Sequence, residues 1–314
     1  MKYRRLGESG LKVSAVSLGS WLTYGNAVED KAARECVFAA FDAGVNFFDT
    51  ADVYAKGAAE TFLGKALQSV RREELVLGTK VFGKMSDDVN DRGLSRKHIM
   101  ASCEHSLRRL KVEVIDLYQC HRYDPETPLP EVVRAMDDLI RQGKVLYWGV
   151  SCWTAEELRE ACEVADRLLA PRPISNQPPY SLLDRGIEAE VLPASRALGI
   201  GQVVYSPLAQ GILSGKYRGG KIPGDSRLAD DSLNRGMKDK LSDENEARVE
   251  ALAGIAGELG IPLAQLALAW CLRDEGVSSV ICGASRPEQV RQNVAAAETE
   301  LSDEVLAKIE AVFA

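Results

Sequence analysis

Asp49, Tyr54 and Lys80 are the residues of this 314-residue chain whose types and positions first suggest chemistry. Asp49 and Lys80 each end a short apolar run, and Tyr54 follows Asp49 closely along the chain. A buried ammonium is costly without an anion, so we expect Lys80 to pair with Asp49, although such a pair can also be purely structural. The same ammonium would lower the pKa of the Tyr54 phenol. A phenol tuned in this way can act as a general acid toward an oxygen that gains charge.

His121 ends another apolar run and can hydrogen-bond the same oxygen. The other two histidines, His98 and His105, are seven positions apart on a predicted helix. That is not the i, i+4 spacing of a metal-binding pair, so we predict no metal site. The seven cysteines include no CxxC pair. They fit the reduced thiols of a cytosolic protein.

Short β-branched runs alternate along the chain with segments of helical periodicity. Each unit occupies roughly 30 to 40 residues, which is the period of a βα unit repeated eight times. A doubly wound sheet also alternates, but here the first strand runs into LGSWLTYGN and no GxGxxG loop follows. We therefore predict an α/β fold, a single (β/α)8 TIM barrel domain over residues 1–314. The predicted strands are Val13–Leu18, Val45–Asp49, Leu75–Lys80, Ile115–His121, Val145–Ser151, Pro173–Gln177, Gln202–Ser206 and Ser279–Cys282.

Two additions to the barrel are predicted. Arg4–Leu6 and Leu11–Val13 flank Gly7–Gly10, which indicates an N-terminal β-hairpin that caps the bottom of the barrel. After the seventh strand, roughly Leu208–Asp243 form an insertion rich in glycine and charge. A long insertion at the mouth of a barrel is typical of a lid over a ligand, and a solvated surface loop is the alternative.

The carboxyl ends of the barrel strands converge on one mouth, where active sites are built. This convergence brings Asp49, Lys80 and His121 toward one another. It also predicts a set of further polar side chains at the same mouth, namely Ser151, Asn176, Gln177, Tyr205 and Ser206.

A phosphate site is predicted after the last strand, where a helix begins at about Pro287 because proline suits the first helical turn. The free N–H groups of that helix, the Ser285 hydroxyl and the Arg286 guanidinium together make an anion site. Lys216 and Arg227, in the insertion, could add positive charge to the same ligand. Simple helix capping beside a surface arginine is the alternative.

The formal net charge of -7 argues against nucleic acid as a partner, because a phosphate polymer requires a basic face. No apolar signal segment follows the basic N-terminus, and the apolar stretch Leu263–Leu272 is too short to span a bilayer. We expect a cytoplasmic protein with no membrane insertion.

Seven segments in order and spacing make the chain resemble the aldo-keto reductase family over essentially its whole length. The resemblance is closest to the branch that contains bacterial reductases and the β-subunits of voltage-gated potassium channels. It implies a (β/α)8 barrel, an NADPH/NADP+ cofactor and a catalytic tetrad on Asp49, Tyr54, Lys80 and His121. The segments are FFDTADVYAKGAAETFLGKAL, LGTKVF, IDLYQCHR, GKVLYWGVS, SNQPPYSLL, VVYSPLAQGILSGKY and VICGASRPEQVRQNV.

The resemblance also implies cofactor contacts and a substrate pocket with Trp21 as one wall. Tyr205 matches the residue that stacks on the nicotinamide. Residues matching the carboxamide contacts are Ser151, Asn176 and Gln177; those matching the pyrophosphate loop are Ser206, Leu208, Gly211, Lys216 and Arg227; those matching the adenosine and 2′-phosphate pocket are Gly283, Ser285, Gln289, Gln292 and Asn293. This pocket coincides with the anion site predicted from Ser285 and Arg286.

Three positions depart from the channel-subunit pattern, which has asparagine at His121, arginine at Cys152 and glutamate at Gln292. His121 favours an enzyme that reduces small-molecule aldehydes and ketones, with Tyr54 as general acid. An NADP(H)-binding regulatory subunit with a membrane-protein partner is the alternative. The sequence does not identify the natural substrate, because the loops that line the pocket vary freely on this fold. The oligomeric state is also left open, with a homo-oligomer as one alternative.

Overall fold

The architecture is known from a computed structural model that describes residues 1–21, 30–224, 226–229 and 241–314. The strands are β1 (Tyr3–Arg5), β2 (Lys12–Ser14), β3 (Val16–Gly19), β4 (Phe47–Asp49), β5 (Val76–Val81), β6 (Ile115–Cys120), β7 (Val145–Val150), β8 (Ser175–Asn176), β9 (Gly201–Tyr205) and β10 (Val277–Cys282). The α-helices are α1 (Asp30–Asp42), α2 (Ala58–Ala66), α3 (Arg96–Leu110), α4 (Leu129–Arg141), α5 (Ala155–Arg167), α6 (Val191–Leu198), α7 (Asp243–Glu258), α8 (Leu263–Leu272), α9 (Pro287–Ala295) and α10 (Asp303–Ala311).

Strands β3 to β10 form a closed, fully parallel barrel, in which β10 pairs with β3 and closes the ring. The predicted (β/α)8 barrel is therefore confirmed. The register aligns Asp49 with Gly78 and Lys80 with Gln119, so neighbouring strands end at similar heights around one mouth. Several predicted strands differ in extent; Pro173–Gln177, for example, is shortened to Ser175–Asn176. The run Val13–Leu18 is divided, because the Ala15 N–H donates to the carbonyl of Lys2 at 3.0 Å and turns the chain from β2 into β3.

The predicted N-terminal hairpin is also confirmed, with β1 and β2 antiparallel. Its turn lies at the end of the barrel opposite the mouth, where the Glu8 N–H donates to the carbonyl of Gly199 at 2.9 Å, just before β9. Leu6 is fully buried and packs among barrel-lining residues such as Phe47 and Leu117. Gly7 has φ +59°, and a Cβ there would lie 2.7 Å from the backbone nitrogen of Gly201, so the close approach requires glycine. The hairpin thus plugs the barrel bottom.

Two larger apolar cores lie between the barrel wall and its helices. Helix α8 is buried at Leu263 and throughout Leu266–Leu272, which explains why it is apolar on most of its faces. Within the described residues, no single helix is long and apolar enough to cross a membrane. Helices α7 and α8 reach that length and hydropathy only together, and they are bent by 92° at their junction.

The insertion between β9 and α7 contains the short 3-10 segments Ala209–Ser214, Arg218–Gly220 and Arg227–Ala229. Its residues 225 and 230–240, and the side chain of Arg227, lie outside the described part of the chain. Ser206, Ala209 and Gln210 have φ values of 54°, 46° and 59°, a left-handed conformation that is unfavourable for residues other than glycine. Such strain concentrates at ligand-binding segments, but the lid role of the insertion stays a prediction.

Candidate active site

The loop after β4 carries Tyr54 across the end of β5. The Thr50 N–H donates to the carbonyl of Gly78 at 2.9 Å, and the Asp52 N–H donates to that of Lys80 at 3.3 Å. Directly after Tyr54, Ala55 and Lys56 take left-handed φ values of 46° and 49°, and α2 then begins at Ala58. This strained turn reverses the chain immediately behind Tyr54 and holds its side chain over the barrel mouth.

The ammonium of Lys80 is the centre of the site, and its side chain is completely buried. It lies 2.7 Å from Asp49 Oδ2 and donates to the carbonyl of Thr50 at 2.7 Å and to Tyr54 Oη at 3.4 Å. The predicted ion pair with Asp49 is confirmed. Burial lowers the pKa of Lys80, and the carboxylate of Asp49 opposes that effect. Three acceptors therefore match the three protons of one ammonium, which fixes the position of the phenol.

The pKa of Tyr54 shifts in the direction opposite to the sequence-based expectation. Removal of the phenol from water raises its pKa well above the usual value, and the nearby Asp49 carboxylate raises it further. The prediction of a lowered pKa was wrong, because burial penalises a phenolate and the Asp49 carboxylate, 2.7 Å from the ammonium, opposes the effect of that charge. Tyr54 therefore holds its proton near neutral pH.

His121 follows β6 and faces Tyr54, with ring centroids 5.6 Å apart and planes at 75°. Its pKa is lowered to about 2 by burial and by the charges of Lys80 and Arg122. The imidazole is therefore neutral near pH 7. A neutral imidazole still has one N–H, which can be donated to an oxygen held between the two rings.

Behind these groups lies a layer of polar contacts that the sequence did not predict. Gln177 Nε2 donates to Asp49 Oδ1 at 2.9 Å, so both oxygens of Asp49 are occupied. Thr79 donates to the buried Glu60 at 2.6 Å, and Glu60 also pairs with Arg109 at 2.6 Å. The signal that could have revealed this layer is the charge of Glu60 on the otherwise apolar face of α2. We infer that these contacts hold β5 and α2 around the site.

The residues predicted to contact a nicotinamide surround the ends of β7, β8 and β9. Ser151 Oγ donates to the carbonyl of Gln177 at 2.8 Å, and Asn176 Nδ2 donates to that of Trp153 at 3.3 Å. The ring of Tyr205 is partly exposed at the mouth, and its hydroxyl lies 3.6 Å from Cys152 Sγ. An accessible aromatic face beside polar strand ends is what a stacked planar ring requires.

The predicted anion site is assembled, but its donors are not free. Helix α9 begins at Pro287 as predicted. Gln289 Oε1 accepts from Ser285 N at 2.8 Å, from Ser285 Oγ at 3.2 Å and from Arg286 N at 3.3 Å. Of the predicted donors, the Ser285 hydroxyl is therefore already hydrogen-bonded, and Gln289 also caps the N–H groups of Ser285 and Arg286 just before the helix. An anion that binds here would have to displace Gln289 Oε1, which already accepts hydrogen bonds from three donors.

The remaining predicted contacts are scattered along the mouth. Leu208 and Gly211 are partly exposed, and Lys216 is exposed with its side chain against Gly211. Trp21, two residues after β3, is 42% exposed. Among the other predicted cofactor contacts, Gly283 and Gln292 are exposed and Ser206 is partly exposed, whereas Asn293 is buried. The described residues contain no group of three or more His, Cys, Asp or Glu that could hold a metal ion.

Comparison with known proteins agrees with this architecture. Residues 15–314 match the Aldo/keto reductase family. A rice (Oryza sativa subsp. japonica) protein named "Probable voltage-gated potassium channel subunit beta" is 45% identical over 317 residues, 99% of this chain and 96% of the relative. A protein of the same name from Arabidopsis thaliana is 45% identical over 318 residues, covering 100% and 97%. A similarly named protein of Schizosaccharomyces pombe is 43% identical over 320 residues, covering 99% and 93%. The resemblance seen in the sequence is confirmed, and the chain belongs to the aldo/keto reductase family.

Proposed function

We propose that the protein reduces aldehydes or ketones to alcohols by hydride transfer from NADPH, with Tyr54 as the general acid. The observation that carries this proposal is the arrangement of a protonated Tyr54 phenol, 3.4 Å from the Lys80 ammonium, facing a neutral His121. Two hydrogen-bond donors, the phenol of Tyr54 and the imidazole of His121, thus face one space at the mouth of the barrel, and the ammonium of Lys80 lies behind the phenol. A carbonyl oxygen is a group that such a space can hold and stabilise as it gains negative charge.

When bound, NADPH supplies a hydride to the carbonyl carbon, and the electrons of the C=O π bond move to the oxygen. Tyr54 gives its proton to that oxygen, which completes the alcohol, and then recovers a proton from solvent. Lys80 is hydrogen-bonded to the phenol, so it stabilises the negative charge that Tyr54 acquires as its proton leaves. His121 donates a hydrogen bond that orients the oxygen.

The same chain offers residues for each end of the cofactor. Tyr205, Ser151, Asn176 and Gln177 would contact the nicotinamide. The start of α9 would take the 2′-phosphate, because Gln289 already shows that its donors converge on a single oxygen. Membership of the aldo/keto reductase family supports a nicotinamide cofactor.

A regulatory NADP(H)-binding subunit is the second candidate, and the names of the relatives favour it. An enzyme would convert aldehyde to alcohol and consume NADPH, whereas a regulatory subunit would bind NADPH without turnover. Purified protein should be given NADPH and a panel of aldehydes, with NADPH loss and alcohol formation measured together. We expect one alcohol for each NADPH consumed. Bound NADPH that persists without any alcohol across the panel would overturn the enzyme proposal in favour of the subunit.

A further inference from the structure

Arg122 lies at the rim of the proposed active site, directly after His121. Its side chain is exposed, and its Nη1 donates to the carbonyl of His121 at 2.7 Å. The same nitrogen lies 3.3 Å from Cys152 Sγ and 3.5 Å from Ser151 Oγ. One nitrogen of the guanidinium is thus fixed to the strand ends of β6 and β7. The other two guanidinium nitrogens, Nη2 and Nε, have no hydrogen bond within the described residues.

Arg122 also lacks an anionic partner in the part of the chain that the structure describes. Arg109 and Arg273, by contrast, pair with carboxylates at 2.6 and 3.0 Å. The acid nearest to Arg122 in sequence, Asp124, accepts instead from the Leu94 N–H at 2.7 Å and from the Thr127 hydroxyl at 2.8 Å. An arginine held in place without a carboxylate is prepared for an anion from outside the protein.

The positive charge of Arg122 acts electrostatically on His121 and Tyr54. It lowers the pKa of His121 and also acts to lower that of Tyr54. The charge of Lys80 is balanced by Asp49 at 2.7 Å, whereas that of Arg122 is not balanced by any described carboxylate. The rim beside His121 therefore carries net positive charge.

The position of Arg122 separates it from the proposed cofactor phosphates. The predicted anion site follows β10, and β6 is four strands from β10 in either direction around the eight-stranded barrel. Arg122 is therefore on the opposite side of the mouth from Ser285 and Arg286. Its charge therefore lies away from that phosphate site and beside His121.

We propose that Arg122 binds a carboxylate of the substrate, so that the preferred substrates are aldehydes or ketones that carry an acid group. This inference rests on the proposed reductase function. Because Nη1 is anchored to His121, the unoccupied Nη2 and Nε can form the paired hydrogen bonds of an arginine–carboxylate contact.

Two matched substrate pairs test this assignment: 4-oxobutanoate and its methyl ester, and 4-formylbenzoate and its methyl ester. The partners of a pair differ by one ester methyl group, which removes the negative charge, and the pairs differ in the distance from carbonyl to carboxylate. The measured quantity is kcat/KM for the acid divided by kcat/KM for the ester. An effect of a substitution on the chemical step that is common to both substrates cancels in this ratio. For at least one pair we expect a wild-type ratio of about 10 or more, which corresponds to one charged hydrogen-bond pair.

Arg122→Gln should lower that ratio about 10-fold, and Arg122→Lys should keep most of it because the charge remains. Arg167→Gln is the matched control. Arg167 is exposed at the C-terminal end of α5, at the barrel bottom, and removing its charge should leave the ratio unchanged. Equal ratios in wild type and Arg122→Gln, with both substrates reduced, would overturn the role of Arg122 and leave the reductase proposal standing. Reduction of neither acid nor ester would instead overturn the reductase proposal and this inference with it.

Discussion

At the scale of single residues, Asp49 sets both the position of the Lys80 ammonium and the protonation of the Tyr54 phenol. Its two oxygens accept from Lys80 and from Gln177 at 2.7 and 2.9 Å, so it positions the ammonium that in turn holds Tyr54. The negative charge of Asp49 also opposes ionisation of Tyr54 and raises its pKa. The result is a phenol that keeps its proton until an oxygen beside it gains charge.

His121 should remain neutral through the whole range in which an ordinary histidine titrates. Its pKa is about 2 in the folded protein, against roughly 6.5 when unfolded. Below about pH 6.5 the unfolded chain therefore binds a proton that the folded chain does not, so this group makes the protein less stable as the pH falls. The imidazole resonances of His121, followed by NMR from pH 8 to pH 5 and assigned by loss in His121→Asn, should not shift. A titration midpoint near 6.5 would contradict the neutral hydrogen-bond donor.

At the scale of elements, the N-terminus of α9 and the packing of α2 on α3 position the two ends of the site. Helix α2 follows Tyr54 directly, and its Gly64 packs against the end of α3 so closely that a Cβ would lie 2.7 Å from the carbonyl oxygen of Arg109. Glu60, on the same helix, pairs with Arg109 at 2.6 Å. The position of Tyr54 therefore depends on a helix contact that only glycine permits.

Gly64→Ala should destabilise the protein by roughly 2 kcal/mol or more, because the added methyl group meets backbone that cannot move aside. Gly254→Ala in α7 is the matched control, since nothing lies within 4 Å of a Cβ there. That change should be neutral or stabilise by up to about 1 kcal/mol through helix propensity. Urea unfolding of both variants measures the difference, and equal stabilities would show that the α2–α3 contact is not tight.

Arg286→Ala should weaken NADPH binding about 10-fold or more and leave NADH binding almost unchanged, because only NADPH carries the 2′-phosphate. Arg291→Ala removes the same charge from within α9, where Arg291 contacts Glu288 at 3.4 Å, and should have little effect on either cofactor. Titration of each variant with both cofactors measures the four Kd values. Equal losses for NADPH and NADH in Arg286→Ala would place the 2′-phosphate elsewhere.

At the scale of the whole molecule, the features that depend on local pattern were predictable and those that depend on register were not. The alternation of strands and helices predicted the barrel, and apolar runs that end in Asp49 and Lys80 predicted their ion pair. The bond from Gln177 to Asp49 joins strands on different sides of the mouth, so no local pattern could reveal it. The pKa direction of Tyr54 was missed because it depends on burial and on the exact distance between Lys80 and Asp49.

The insertion after β9 should close over the cofactor, as a lid does. In hydrogen exchange, the segment from Leu208 to Gly224 should become more protected when NADP+ is added to the apo protein. The β1–β2 hairpin, at the opposite end of the barrel, should exchange equally in both states and serves as the internal reference. Unchanged protection of Leu208–Gly224 would identify the segment as a surface loop.

The central claim is that the Tyr54 phenol delivers the proton, and Tyr54→Phe tests it most directly. The substitution removes one oxygen and keeps the ring, so the Kd for NADPH should change little while the single-turnover rate of NADPH oxidation by an aldehyde falls to a small fraction of the wild-type rate. A variant that keeps more than about a tenth of the wild-type rate has lost less than roughly 1.4 kcal/mol of transition-state stabilisation. Such a result would contradict the assignment of Tyr54 as the acid.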